Sequence, residues 1–599
     1  MKRIFCFGMS MALSFFAIAG AGAPNIQGLI QKTDPRINLG MMVVDLTTGT
    51  TLFEKQAQQV FVPASNMKLF SEAVVLLALG PEYQIPTHLS TDAKTLTQGR
   101  LNGSLYFHLP PDPSLNHQAI FKMIEQLKKW NVTEITGDIV VQSDLASVAP
   151  YPPGMVARDA QFSYGAPVGP LILDENRLTV ITNPSSQVGQ NAVIETSSPA
   201  GVFQIDNHVE TKASAKGCGV SVVFDEQGIL HVRGCVGVGQ MAMVQRVPVK
   251  FPISYFRTHI LYQLQQMNIG FHGKVRMGYM PVNTLMITRH LSPPVKQLMA
   301  ATLKPSDNLY ANSLYLLASN QIAKHPTSWS DAQNITRDFL QQQTGINMSS
   351  AVFADGSGLS RLNKVTPYQT MSLLMYLYHK FPLAFEYISA LPISGQDGTL
   401  QRRFKQPYQK GLIRAKTGTM TGIMSLSGYL TTKNYHTLAF TMYINTLPGT
   451  KPQVSGGYRG FMDAACTALL LSQPGHQQHD FQTANPRVVP YQRPANGVEA
   501  SRLQQGFWRS LEIGFKRELG SRPVVVLYHP QELVILDKGS NDDAIWRAIR
   551  KLKAQRRFSV MVESLQAPNL GGDALGFLWM QNQPGDHVLR RWVIRSMGS

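Results

Sequence analysis

The chain is 599 residues long, 44% hydrophobic and only 15% charged, with a formal net charge of +18 at pH 7. That length excludes a single small domain and leaves room for roughly two to four domains with sizeable cores. Four cysteines are too few for a disulfide scaffold, and the basic excess in an exported chain favours anionic envelope polymers over nucleic acid.

Export is read from the first two dozen residues. Lys2 and Arg3, the apolar run Ile4 to Ala19 and the small-residue stretch 19–23 form a secretory signal, cleaved after Ala21. Cys6 leaves with it. No later run is apolar and long enough to span a bilayer, so the mature chain is expected in the periplasm, soluble or peripherally bound. Asn38 to Val60 alternates as a hairpin around Thr47 to Thr50.

Pro63-Ala64-Ser65-Asn66-Met67-Lys68 then opens a helix that is apolar nearly all round and stops at Gly80-Pro81. Ser65 falls in its first turn, where the helix dipole favours negative charge. Lys68 lies three residues on, on the same face. A desolvated lysine there is neutral often enough to take the serine proton. Alone the pair means little, since Ser-x-x-Lys arises about once or twice by chance in a chain this long. Glu72, one turn beyond, would keep Lys68 charged if the two paired.

Residues 86–289 change character to short strands and turns, a β-rich insertion of two subdomains. Within it Cys218 and Cys235 flank a hairpin. If Phe224 pairs with Ile229, Cys218 falls opposite Cys235, at a spacing that suits a disulfide. Cys466 lies in an apolar run and reads as a buried thiol.

Helices return near residue 290. Lys304-Pro305-Ser306-Asp307-Asn308 precedes one of them, with Ser306 or Asp307 where an N-cap belongs. Asp355-Gly356-Ser357-Gly358 is a glycine-rich turn, followed by Arg361 and Asn363. Gly411 to Asn445 alternates as three antiparallel strands, the first carrying Lys416-Thr417-Gly418-Thr419. A glycine there lets a ligand backbone lie against the strand. Residues 473–500 read as a linker. It holds His476, His479 and Asp480, a spacing that could suit a metal but sits in a polar linker. Residues 501–599 form a small α/β domain with a basic helix from Arg547 to Arg557.

Three elements thus stand in order: Ser65-x-x-Lys68, Ser306-x-Asn308 and Lys416-Thr417-Gly418. With these the chain resembles the low-molecular-mass class C penicillin-binding proteins, the D-alanyl-D-alanine carboxypeptidase/endopeptidase group. ITGDIVV, YGAPVGPLILDEN, DGSGLSRLNKVTP and LPISGQDGTLQRRF extend the resemblance over roughly residues 38 to 470. Pro111-Asp112-Pro113 departs from the family's usual Gly-Asp-Pro, and the last hundred residues match nothing in it.

The resemblance implies an α+β, penicillin-recognising serine transpeptidase/β-lactamase-like fold. Its catalytic domain would comprise residues 22–85 and 290–472, an antiparallel sheet flanked by helices. It implies Ser65 as nucleophile, Lys68 as base, Ser306 and Lys416 as a proton relay, and Asn308 on the acyl-side amide. Backbone N–H groups of Ser65 and Thr419 would form the oxyanion hole, and Lys416 and Thr417 would hold the terminal carboxylate beside Gly418. Asp159, Arg361 and Met420 would line the stem-peptide side chain, the first two suiting a zwitterion such as diaminopimelate. Partners would be peptidoglycan stem peptides and, as covalent inhibitors, β-lactams, with neither cofactor nor metal. A serine β-lactamase and a non-catalytic peptidoglycan-binding scaffold are the alternatives.

Overall fold

A computed structural model of the chain describes residues 26–34, 37–446 and 456–472, then 525–529, 532–537, 544–545, 547–549, 558–565 and 589–596. The signal segment, the 473–500 linker with its two histidines, and most of the basic helix lie outside the described residues.

The centre is a five-stranded antiparallel sheet. Its order is Ile413–Met420, Ile423–Thr431, Thr437–Asn445, Leu39–Asp45 and Thr50–Lys55. Strand Leu39–Asp45 is buried at every position because helices cover both faces. Met42 and Val44 point into one core, shared with helices Met67–Leu79, Asn308–Ala323 and Pro367–His379. Leu39, Met41 and Val43 point into the other, beneath Ile26–Thr33 and Gly457–Leu471. The two-residue period of a strand thus feeds two cores from one segment.

The Met67–Leu79 helix is buried over its first ten residues and ends at Gly80, whose φ of +81° suits a residue without a Cβ. Its apolar girth follows from that position between sheet and helices. Among the described residues no helix is long and apolar enough to cross a membrane.

Strands Pro86–Thr91 and Leu285–Leu291 pair with each other, so the insertion leaves and rejoins the catalytic region at one place. One buried cluster runs through it from Leu89 to Ile269. Besides the expected strands it holds two helices, His117–Lys129 and Pro252–Gln266, whose apolar stripes face that core.

The cysteine hairpin forms one residue out of the expected register: Phe224 pairs with Leu230 and Val220 with Gly234. Cys218 and Cys235 nevertheless form the disulfide, with Cα atoms 5.0 Å apart. The reason is that Cys218 lies beyond the strand end, in a turn closed by its N–H to the Ala215 carbonyl, and is free of the ladder. Cys466 is a buried free thiol.

At the C-terminal end four antiparallel strands lie in the order Val525–His529, Glu532–Asp537, Leu589–Ser596, Phe558–Leu565. Leu589–Ser596 was not among the expected strands. Ile545 and Ile549 are buried and Arg547 is exposed, as an amphipathic helix requires.

Candidate active site

Ser65 does not lie in the long helix but in a short 3-10 turn, Ala64–Asn66, that leads into Met67–Leu79. Ala64 takes a left-handed φ of +47°, which bends the chain sharply before the serine. Two strand residues hold the turn: Ser425 Oγ donates to the Pro63 carbonyl at 2.7 Å, and Asn66 Nδ2 donates to Ser427 Oγ at 2.7 Å. Gly358 lies directly against it. A Cβ at Gly358 would stand 1.8 Å from the Ala64 carbonyl oxygen and 2.9 Å from the Ser65 nitrogen. Gly418 is equally close from the strand side, where a Cβ would stand 3.0 Å from the Ser65 nitrogen.

The Lys68 amine is buried and meets three oxygens: Ser65 Oγ at 3.2 Å, Asn308 Oδ1 at 2.6 Å and the Ser357 carbonyl at 2.7 Å. Burial lowers its pKa to about 8, against the opposing charges of Asp355, Asp307 and Glu72. The 355–358 turn is built around Asp355, which accepts from Ser357 Oγ, Gly358 N and Asn363 Nδ2. That network aims the Ser357 carbonyl at Lys68.

Glu72 does not pair with Lys68. Among the described residues neither carboxyl oxygen has a hydrogen-bond partner, and the group is fully buried. Burial raises its pKa well above the carboxylate range, outweighing the pull of Lys68, and so favours its neutral form.

Asp307, rather than Ser306, caps the Asn308–Ala323 helix, accepting from Leu309 N and Tyr310 N. Ser306 sits just before it at φ +65°. Its hydroxyl accepts from the buried Lys416 amine at 2.8 Å. Lys416 also donates to the Thr417 carbonyl, and its pKa is held well below the ordinary value by burial and then by Lys68. Thr417 Oγ1 donates to Thr399 Oγ1 at 2.8 Å, and Thr419 is exposed. Hydrogen bonds thus gather Ser65, Lys68 and Asn308 into one group and Ser306 and Lys416 into another; the short Ser306-Asp307-Asn308 segment links the two, and the Lys68 charge is felt at Lys416.

The side-chain candidates lie at its margin. Asp159 accepts from the Tyr164 hydroxyl at 2.9 Å, and Tyr164 gives its carbonyl to Asn308 Nδ2 at 3.0 Å. Arg361 donates to the Thr421 carbonyl at 3.2 Å, one residue past Met420, while its own N–H donates to Gly154. The 151–165 segment of the insertion therefore touches both sides.

Tyr164 and Thr399 stand within the phrases YGAPVGPLILDEN and LPISGQDGTLQRRF without being singled out there, and Arg177, the first residue of strand Arg177–Asn183, carries no local signal; folding alone brings the three to the site. An arginine at a strand start looks like any solvated one until its partner is known. The Asp355 turn was visible as a motif, but its bond to Lys68 was not.

Deep in the insertion His117, Asp174 and His259 bring ligand atoms within 4.8 Å of one another. Asp174 accepts from His117 N, His117 Nδ1 and Tyr255 Oη, and His259 bonds the Tyr255 carbonyl and Ser198 Oγ. Protein donors satisfy this carboxylate, and the cluster braces the insertion core.

The model of the D-Ala-D-Ala carboxypeptidase 3 (S13) family matches residues 23–465, all three motifs included. D-alanyl-D-alanine carboxypeptidase DacB of Haemophilus influenzae is 29% identical over 429 residues, 70% of this chain and 88% of the relative. The D-alanyl-D-alanine carboxypeptidase of Actinomadura sp. is 26% identical over 463 residues, 73% and 82% respectively. The crystal structure of penicillin binding protein 4 (dacB) from Haemophilus influenzae aligns with a TM-score of 0.65 at 26% identity. It covers 74% of this chain and 99% of that one. A second structure of that protein, complexed with a β-lactam, gives 0.61. Sheet, motifs and family match agree, and this chain belongs to the D-Ala-D-Ala carboxypeptidase 3 (S13) family of serine-type, penicillin-binding carboxypeptidases.

Proposed function

We propose that the chain hydrolyses D-Ala-D-Ala stem peptides, and the peptide crosslinks of peptidoglycan, through an acyl-enzyme on Ser65. The observation that carries the assignment is the Lys68 amine, buried, bonded to Asn308 and the Ser357 carbonyl with no carboxylate partner among the described residues, and 3.2 Å from Ser65 Oγ. Lys68 takes the hydroxyl proton as Oγ attacks the D-Ala carbonyl. Ser65 and Thr419 N–H groups stabilise the oxyanion, each donor being worth about 3 kcal/mol. The amide C–N bond then breaks, and the proton reaches the leaving amine through Lys68, Ser306 and Lys416. A water hydrolyses the ester with Lys68 again as base. Thr417 and Lys416 hold the terminal carboxylate, Gly418 leaves room for the substrate backbone, and Asn308 holds the acyl-side amide.

Asp159, Arg361 and Met420 are assigned to the stem-peptide side chain, with diaminopimelate as the preferred residue. The catalytic domain is taken as residues 22–85 and 290–472, and the enzyme is placed in the periplasm. The C-terminal module is assigned to docking on an anionic envelope polymer, in keeping with the basic stretch from Arg547 to Arg557.

Labelled penicillin tests the nucleophile: the full chain is labelled covalently and Ser65→Ala is not, while remaining folded. Muropeptide monomers and dimers, with products weighed by mass spectrometry, separate carboxypeptidase from endopeptidase action. An unlabelled wild-type chain, or products from Ser65→Ala, would remove the acyl-enzyme reading.

A further inference from the structure

Arg177 opens strand Arg177–Asn183 of the insertion, far from the three motifs in sequence. Its side chain is 4% exposed. Nε donates to the Ser163 carbonyl at 2.7 Å. The two terminal nitrogens grip Asp307 at 2.5 and 3.1 Å, and one of them also reaches Glu175 at 2.7 Å. Ser163 precedes Tyr164, and Asp307 precedes Asn308. One guanidinium therefore clamps the two backbone segments whose next residues meet in the Asn308 Nδ2 to Tyr164 carbonyl bond. That bond leaves the other end of the amide, Oδ1, facing the Lys68 amine at 2.6 Å.

The arm that carries Arg177 is itself held. Asp174, Glu175 and Asn176 take left-handed φ values of +50°, +58° and +48°. Such a run persists only where surroundings over-determine it. The buried Asn176 amide donates to the Pro167 and Leu171 carbonyls, and Asp174 is fastened by His117 and Tyr255. The insertion core thus anchors the arginine, and a planar fork transmits that position to the catalytic turn.

We propose that Arg177 is a positioning residue for acylation: it staples the 163–164 backbone to the 307–308 turn and so holds the Asn308 carboxamide with its oxygen on Lys68. The proposal rests on Lys68 being the base. It also gives the large insertion a catalytic purpose, since the insertion supplies the staple and the carbonyl that orients Asn308.

A charge effect accompanies the geometric one. The titratable groups facing Lys68 are Asp355 from the glycine-rich turn, Asp307 from the turn before the Asn308 helix, Glu72 from its own helix and Lys416 from the strand, the last two driven toward their neutral forms by burial. Of these, Asp307 is the one whose charge Arg177 offsets. Without the arginine, Asp307 stabilises protonated Lys68 more strongly, so a higher pH is needed to free the amine.

The experiment compares the full chain with Arg177→Met, Arg177→Lys and the double variant Arg177→Met/Asp307→Asn, with Ser65→Ala as control. Second-order labelling by penicillin is followed across pH and normalised to the folded fraction from thermal melts. Arg177→Met is expected to slow acylation about 10- to 100-fold and to move the acid limb of the profile upward. Adding Asp307→Asn returns the limb without returning the rate. Arg177→Lys keeps the limb but is slower, because one ammonium cannot reproduce the fork.

A folded Arg177→Met enzyme with wild-type rate and profile overturns the proposal, as does a slower one whose acid limb has not moved. If Arg177→Met does not fold, Arg177→Lys decides, and a wild-type rate there overturns it. Labelling that persists in Ser65→Ala instead strikes the nucleophile assignment, a result no Arg177 variant can mimic.

Discussion

Lys68 and Glu72 lie one helical turn apart, both wholly buried, and share no hydrogen bond. Two opposite charges at that spacing would pair if both were ionised. Instead burial drives each toward its neutral form, Lys68 to about pH 8 and Glu72 well above the carboxylate range. The lysine is therefore left to Ser65 and Asn308.

Glu72→Gln follows from that relationship. An acid whose folded pKa is raised binds more protons in the native than in the unfolded state, so it erodes stability as pH rises past its ordinary value of 4.5. Gln removes the effect. The variant is expected to match the wild type in melting temperature near pH 4 and to exceed it increasingly toward neutrality. Its acylation profile is expected to keep its acid limb. A limb displaced to lower pH would mean that Glu72 is ionised beside Lys68.

Gly358→Ala tests the turn beneath the nucleophile. At φ +84°, with the Ala64 carbonyl where a Cβ would go, the side chain cannot enter unless the Ser65 turn moves. A displacement of about 1 Å is enough to cost acylation on the order of 100-fold. Penicillin labelling of the folded protein measures it. Unchanged labelling would show that the turn yields without carrying Ser65 with it.

Variants of Asp159 and Arg361 are expected to separate substrate recognition from chemistry. Asp159→Asn and Arg361→Gln are each expected to lower kcat/KM for peptides with a free diaminopimelate terminus by roughly tenfold, the scale of one charge-assisted contact. Penicillin acylation is expected to stay near wild type. Equal losses on both ligands would assign them to the architecture of the rim instead.

The C-terminal module is testable by truncation near residue 480, past the end of the family match at 465. The shortened chain is expected to keep full turnover of small peptides and to sediment less with sacculi. In the full chain, neutralising Arg547, Arg550, Lys551 and Lys553 is expected to weaken sedimentation and flatten its salt dependence. Sedimentation equal to that of the full chain would end the docking role, and lost turnover would make the module part of the catalytic fold.

Much of the site was legible because its chemistry is local. Ser65 and Lys68 stand three residues apart across the junction of the 3-10 turn and the helix, Ser306 and Asn308 flank one helix cap, and Lys416 to Thr419 occupy one strand end. Spacing alone carries each such relationship. The antiparallel run from Gly411 to Asn445 was likewise written in its alternation. Tertiary structure decided what no window contains. Glu72 reads as a partner for Lys68, but only the packing around the helix removes the water that would let it ionise. The hairpin register slipped by one residue because the turn after Asp225 takes Ile229 into its own hydrogen bonds, so the first rung falls to Leu230. Arg177 reaches Asp307 across 130 residues, and no period in either segment announces it. A buried ion pair depends on desolvation and on a geometry set by two separate cores, and both exist only once the chain has folded.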